Sequence, residues 1–276
     1  MLDPSIAQSI TTPIVLTIAG SDSGGGAGIQ ADIKAISATG SYACSAITAI
    51  TAQNTQGVSA IFPIPLEHVE AQLDAVFSDI KVSAVKIGML ADADIIQVVA
   101  AKIRQYSPEY LVLDPVMVAT SGDPLLEQSA ISTLKNELLG LADIITPNLP
   151  EAALLTGHPI PRNEAEMMAM VSGLRQLNAQ AVLLKGGHLS DSADSVDLLI
   201  TKDDVLRLSA KRIPTQNTHG TGCTLSSAIA SYLAQGHSLN EAVSAAKDYL
   251  SHAIAQADTL NIGQGHGPVH HFFNRG

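Results

Sequence analysis

The chain has 276 residues, 46% of them apolar, and a formal charge of −11. That is enough material for one large α/β domain or two small ones; with no tryptophan and few aromatics, the core must be built from Ala, Val, Ile and Leu, the usual filling between helices and a parallel sheet. The charge repels a phosphate backbone, and no Lys/Arg cluster interleaved with aromatics interrupts it, which excludes nucleic acid as an expected partner.

A nucleotide would have to be held by local fields, such as helix N-termini, backbone amides, a lysine and Mg²⁺. Residues 1–12 lack the pattern of a signal peptide and read as a flexible N-terminal segment, and no apolar run approaches the ~20 residues that span a bilayer. A cytoplasmic protein is expected, with no membrane partner. Its two cysteines, Cys44 and Cys223, are then unbridged, and Cys44 falls in an apolar run that belongs in the core.

In chain order the pattern predicts strand 14–19, helix 28–38, strand 42–52, helix 66–77, strand 84–87, helix 92–103 and strand 111–114. Helix 127–139, strand 143–146, helices near 151–155 and 164–177, and strand 181–185 continue this βαβ rhythm of a parallel sheet. Segments 195–199 and 204–209 flank a polar turn and read as an antiparallel edge hairpin. Helices from Gly220–Thr221 to near Gly236, and from about Leu239, close the chain. No repeat, linker or charge block marks a boundary, so residues 1–276 are expected to form one domain.

Ligands of open α/β sheets bind beyond the carboxyl ends of the strands, and the polar and glycine residues gather there. The six strand ends carry Gly20 to Gly28, Gln53-Asn54, Gly88-Met89, Asp114-Pro115, Thr146-Pro147-Asn148 and Lys185-Gly186-Gly187-His188. The glycine-rich loop lacks the lysine of a Walker A loop. Gly26 to Ala31 fits the relaxed dinucleotide pattern G-x-G-x-x-A, which makes a nicotinamide oxidoreductase the rival, although no acid stands between Asp32 and Glu67 to hold a ribose. A flexible connection is the plainer explanation of the same glycines.

The segment Asn217-Thr218-His219-Gly220-Thr221-Gly222-Cys223-Thr224 opens an alanine-rich helix, whose uncovered first-turn amides suit an anion. Phosphoryl transfer needs such donors, because its transition state spreads charge over the equatorial oxygens. Cys223, in that first turn, is expected to have its thiolate favoured by the same field and to accept a hydroxyl proton; a small packing residue is the alternative. Asn148 and Glu151 fit a capping box and also fit Mg²⁺ with its waters. Lys185 ends an apolar strand, where a lysine calls for an anion, and Asp114 is either a metal-organising carboxylate or a turn residue before Pro115. The nine histidines show no zinc spacing; His219 alone stands beside the anion loop, and His266, His270 and His271 lie in a Gly-rich terminus read as mobile.

Taken together, AGSDSGGGAGIQAD, ITAQNTQGV, VKIGML, LDPVM, TPNLPEA, LLKGGH, NTHGTGCTL and GPVHHF resemble the hydroxymethylpyrimidine/phosphomethylpyrimidine kinases of thiamine biosynthesis, in the ribokinase-like superfamily, over nearly the whole chain. The resemblance implies an α/β three-layer sandwich without a separate lid domain, often a homodimer. It implies two successive ATP-dependent phosphorylations of a pyrimidine alcohol, to monophosphate and then diphosphate. Gly20, Asp32, Gln53 and Met89 are similar to pyrimidine-pocket residues. Asp114, Asn148, Glu151 and Lys185 are similar to the ATP·Mg²⁺ side, with Mg²⁺ near Asp114 and Glu151; Gly220, Thr221 and Gly222 are similar to the anion hole, and Cys223 to the catalytic base. Pyridoxal or pyridoxine kinase is the neighbouring activity, alone or as a second one, and a ligand sensor without turnover is the non-enzymatic alternative. Thr120 stands where the family often has lysine, which would weaken the second phosphorylation.

Overall fold

The computed structural model describes residues 12–117, 128–187, 189 and 194–274. Nearly all of the N-terminal segment, Thr120 and His188 therefore lie outside the described residues. The elements are β1 (Ile14–Ala19), α1 (Gly28–Ala38), β2 (Tyr42–Ile47), β3 (Ala49–Asn54), β4 (Gly57–Pro63), α2 (Leu66–Asp79), β5 (Ala84–Ile87), α3 (Ala93–Tyr106), β6 (Tyr110–Leu113) and α4 (Gln128–Glu137). They continue with β7 (Ile144–Ile145), α5 (Leu149–Thr156), α6 (Glu164–Ala169), α7 (Val171–Arg175), β8 (Ala181–Lys185), β9 (Asp194–Thr201), β10 (Val205–Lys211), α8 (Thr221–Ala234) and α9 (Leu239–Ala255).

Among the described residues one eight-stranded sheet has the order β10-β9-β8-β7-β6-β5-β1-β2, parallel from β2 to β8 and antiparallel through β9 and β10. Strand alternation divides the core. Leu16, Ile18, Val85, Ile87, Leu111 and Leu113 face the layer that contains α2 to α7, with Cys44 among them. Val15, Ala84, Val112 and Leu183 face α1, α8 and α9. The expected three-layer sandwich with an antiparallel edge hairpin is therefore present.

The order of the sheet locates the crevice. The chain leaves β1 toward β2 on one side and returns to β5 on the other, and ligands bind where the winding reverses, at the carboxyl ends of these two strands. This order, with β5 beside β1 and everything later stacked on one side, is not the 3-2-1-4-5-6 arrangement of dinucleotide folds, which removes the structural support for the nicotinamide reading.

Two expectations change. The predicted strand 42–52 is two strands: at Thr48 the backbone N–H still donates to Ala19 O, while the buried hydroxyl donates to Met89 O and pivots the chain. β3 then leaves the main sheet and pairs with β4 in a separate two-stranded flap that the pattern did not predict, because no Gly or Pro punctuates the apolar run at Thr48. The predicted helix 164–177 is divided at Met170, whose N–H bonds to Met167 O in a tighter turn.

Candidate active site

One cavity of about 640 Å³ opens at the strand ends. Gly20, Gln53, Met89, Asp114, Asn148, Glu151, Lys185, Gly220, Thr221, Gly222 and Cys223 all line it. Asp32 does not, and Lys86, to which no sequence motif assigns a role, does. Four strand spacings separate β1 from β8, so the two ends of the cavity stand about 19 Å apart.

At the β1 end, Gly20 lies directly under Met89: a Cβ would approach Met89 Cε to 2.5 Å and displace that methyl group. Gln53 arrives from the flap at a register shift between Ala52 and Gln53, a bulge that re-aims its side chain. Ser23 Oγ fixes the backbone there, donating to Gln53 O at 2.7 Å and accepting from Gln53 N at 2.8 Å. Val58 and Ile61 of β4 supply apolar wall.

Asp32 is completely buried beneath this end. Its two carboxylate oxygens accept from Lys86 Nζ at 2.8 and 2.9 Å, from Ser227 Oγ at 2.8 Å and from Thr17 Oγ1 at 2.6 Å. These contacts join α1, β5, α8 and β1, so Asp32 sits under the pocket as the partner of a buried lysine instead of forming its wall. Burial opposes the Lys86 charge, but Asp32, Cys223 and Asp114 together more than offset it and hold the ammonium above its usual range.

In the middle of the cavity Lys185 Nζ donates to Asp114 Oδ1 at 2.9 Å, Thr146 Oγ1 donates to the same oxygen at 3.0 Å, and Ser226 Oγ lies 3.4 Å from Oδ2. Burial alone would neutralise Asp114, yet Lys185 and Lys86 keep it below the usual carboxylate range. The capping box is real: Asn148 Oδ1 accepts from Glu151 N at 2.9 Å and Glu151 Oε2 accepts from Asn148 N at 2.8 Å. Burial, with Asp114 adding repulsion, pushes the Glu151 carboxyl up to about 7, against the pull of Lys185.

Two buried carboxylates that repel each other across a cavity are a donor set that a divalent cation relieves. Mg²⁺ takes few carboxylates and completes its shell with water and phosphate oxygens, so Asp114 and Glu151 fit it, and no three-residue His/Cys/Asp/Glu group is needed or found among the described residues.

The α8 N-terminus faces the same space. Gly220 adopts φ 80° as its N-cap, and a Cβ there would drive into the Gly26 carbonyl. Gly222 passes close to the ion pair, since its Cβ would lie 3.3 Å from Lys185 Nζ and 3.4 Å from Asp114 Oδ2. Cys223 contradicts the expected thiolate. Although Cys223 is partly exposed and lines the cavity, its thiol is packed deep: burial pushes it up to about 11, Asp32 and Asp114 add to that, and Lys86 and the Gly28 N–H only partly oppose them.

The C-terminal segment also departs from expectation. His219 N donates to Gly267 O, Gly267 N to Asn217 Oδ1, His266 N to Thr55 O and His270 N to Ala253 O. His271 is buried and pairs with Thr224 Oγ1 at 3.0 Å, and burial, aided by Lys34, lowers its pKa to about 4. The segment is pinned rather than mobile.

At the β8 to β10 end, Ile213, Leu250 and Ile254 give an apolar wall, and Lys247 Nζ donates to Asp197 Oδ2 at 2.6 Å. Among the described residues no helix is long and apolar enough to cross a membrane.

A family model described as Phosphomethylpyrimidine kinase matches residues 22–270. The chain is 57% identical over 261 residues to the hydroxymethylpyrimidine/phosphomethylpyrimidine kinase of Rhizobium meliloti, covering 95% of this chain and 97% of that one. An ADP complex of Bacillus subtilis pyridoxal kinase superposes with a TM-score of 0.89 at 36% identity, over 96% of this chain and 99% of that chain. Phosphomethylpyrimidine kinase from Clostridium difficile superposes at 0.77 with 46% identity, over 87% and 99%. With the motifs, the sheet order and the cavity all agreeing with these likenesses, the chain belongs to the phosphomethylpyrimidine kinase family and has its ribokinase-like fold.

Proposed function

We propose that this protein phosphorylates 4-amino-5-hydroxymethyl-2-methylpyrimidine from ATP, first to the monophosphate and then to the diphosphate, in thiamine biosynthesis. The observation that carries the reading is the single cavity in which a polar, glycine-lined acceptor end, a Lys–Asp–Glu centre and an open helix N-terminus stand in line. The pyrimidine lies at the β1 and β5 end between Gly20, Met89 and Gln53, whose amide suits a ring nitrogen and an amino group. ATP lies across β6 to β10, with its base toward Ile213, Leu250 and Ile254.

Lys185 and the amides of Gly220, Gly222 and Thr221, the last of which has first to leave Thr218 O at 3.3 Å, orient the transferring group and neutralise its oxygens. Asp114 and Glu151 would hold Mg²⁺, which would supply charge neutralisation of the phosphates. The acceptor oxygen forms its bond to the γ-phosphorus as the bond to ADP breaks, and the hydroxyl proton passes to Cys223 Sγ. Cys223 does this as thiolate, the minor form in the ligand-free protein, so turnover rises with pH through the neutral range. In a loose transition state the acceptor needs little charge before transfer, which makes a scarce base tolerable.

The test is ADP release with Mg·ATP and the pyrimidine alcohol, against Cys223→Ala, with mono- and diphosphate products resolved by mass. Both products from wild type and a collapse in the variant support the reading; a fully active variant makes Cys223 a packing residue. The likeness to the Bacillus subtilis pyridoxal kinase supports a second reading, that pyridoxal or pyridoxine is also phosphorylated, and rates on both alcohols measured side by side decide it. A homodimer in the cytoplasm completes the proposal, its stoichiometry to be read by light scattering.

A further inference from the structure

We infer that Asp22 is a positioning and specificity-determining residue: its carboxylate fills the amide concavity of the glycine-rich loop and latches that loop to the anion loop through His219, leaving phosphates to Lys185 and the α8 N-terminus. The inference rests on the proposed reading of the β1 end as the acceptor end.

Asp22 is 1% exposed. Its Oδ1 accepts from Gly24 N at 2.8 Å, and its Oδ2 accepts from Gly26 N at 3.0 Å and Ala27 N at 2.8 Å. The same Oδ2 lies 2.8 Å from Nε2 of His219, a residue that opens the anion loop and lines the cavity. Gly26 has to be glycine for this approach, because a Cβ would reach His219 Cδ2 at 2.5 Å. Gln53 Nε2 stands 3.4 Å from that ring nitrogen, so the latch reaches the acceptor pocket directly.

Successive amides turned into one concavity are how a loop holds phosphate. In this loop a carboxylate of the chain itself is already there. Burial opposes its charge, but His219 and the amides of Ala27 and Gly24 keep it ionised, below the usual carboxylate range. Lys34, the nearby cation, donates to Gly25 O at 2.7 Å, on the carbonyl side of the loop. A phosphate entering at this end therefore meets a fixed negative charge whose donors are spent, and a phosphorylated acceptor is turned with its phosphate toward α8. The glycines that imitate a phosphate-binding loop serve instead as a wall against one.

The test uses inorganic phosphate as the probe, on wild type, Asp22→Gly and Asp22→Asn, by thermal shift without nucleotide and by inhibition of the pyrimidine alcohol reaction. Asp22→Gly should bind phosphate about tenfold more tightly than wild type, with inhibition competitive against the alcohol and not against ATP. Its kcat should fall while the KM for ATP stays within about twofold. Asp22→Asn, which keeps the shape, should lower kcat, and adding His219→Gln should lower it no further, because both changes release one latch. A folded Asp22→Gly with wild-type phosphate affinity overturns the proposal, as does phosphate competition against ATP alone. If Asp22→Gly does not fold, additive losses in Asp22→Asn and His219→Gln overturn it. Phosphate binding is read without turnover, so its failure is distinct from a failure of the kinase reading.

Discussion

Lys86–Asp32 and Lys185–Asp114 are two lysine–aspartate pairs whose lysines belong to one sheet, each in or at the end of an apolar strand. In the first, both side chains are 0% exposed; in the second, the lysine is 15% exposed and opens on the cavity. Asp32 is saturated by Lys86, Thr17 and Ser227, which fixes four elements to one another. Asp114 keeps one oxygen facing Gly222 and the α8 N-terminus. The difference teaches that the chemistry of a buried pair is set by which of its donors and acceptors remain free, since the residue types are identical.

That contrast is breakable in order of size. Lys185→Met should cost about a thousandfold in kcat while leaving a folded protein, because Asp114, unlike Asp32, lines the cavity, where water can replace the lost ammonium; steady-state rates and a melting curve on the same sample check both halves. Lys86→Met should do the reverse in emphasis, destabilising the protein by about 3–5 kcal/mol in urea unfolding, since it strands a buried carboxylate. Replacing both partners, Lys86→Met with Asp32→Leu, should restore stability to near wild type or above it. A stable double variant with an unchanged KM for the pyrimidine would confine Asp32 to the scaffold; a large rise in that KM would return it to the pocket.

The smallest effect concerns Glu151. Its carboxyl is raised from the usual carboxylate range to about 7, so its contribution to folding is present below the unfolded value and is lost as pH rises through 7. Glu151→Gln should therefore gain on wild type in melting temperature between about pH 5 and pH 8, measured without metal. Wild type alone should then recover stability above pH 7 when Mg·ATP is added; equal slopes for the two proteins would show that Glu151 does not titrate in this range.

Much of this was legible. Lys185, Asp114 and Asn148 follow apolar strands, and strand ends must converge in a parallel sheet, so their placement followed from the βαβ rhythm. The capping box at Asn148 and Glu151 follows from spacing alone. Lys86, flanked by Val85 and Ile87, carries the same signal as Lys185: a lysine in an apolar strand, which calls for an anion. Asp22 was readable as an aspartate two residues before a glycine, but its partner His219 is 197 positions away, a distance no local pattern spans. The thiol of Cys223 failed for a different reason: the helix field was visible in the sequence, whereas the depth of burial that outweighs it was not.

The pinned C-terminal segment has one more consequence. Gly263, Gly265 and Gly267 recur at every second position, and a Cβ on them would strike Thr55, Thr55 again and Asn217. Because the bonds from this stretch to the flap tip and the anion loop are made mainly by backbone, the stretch is constrained in length and in bareness more than in chemical character. A deletion of one residue there would pull the flap out of phase with the anion loop, and an affinity handle is better carried at the other end of the chain.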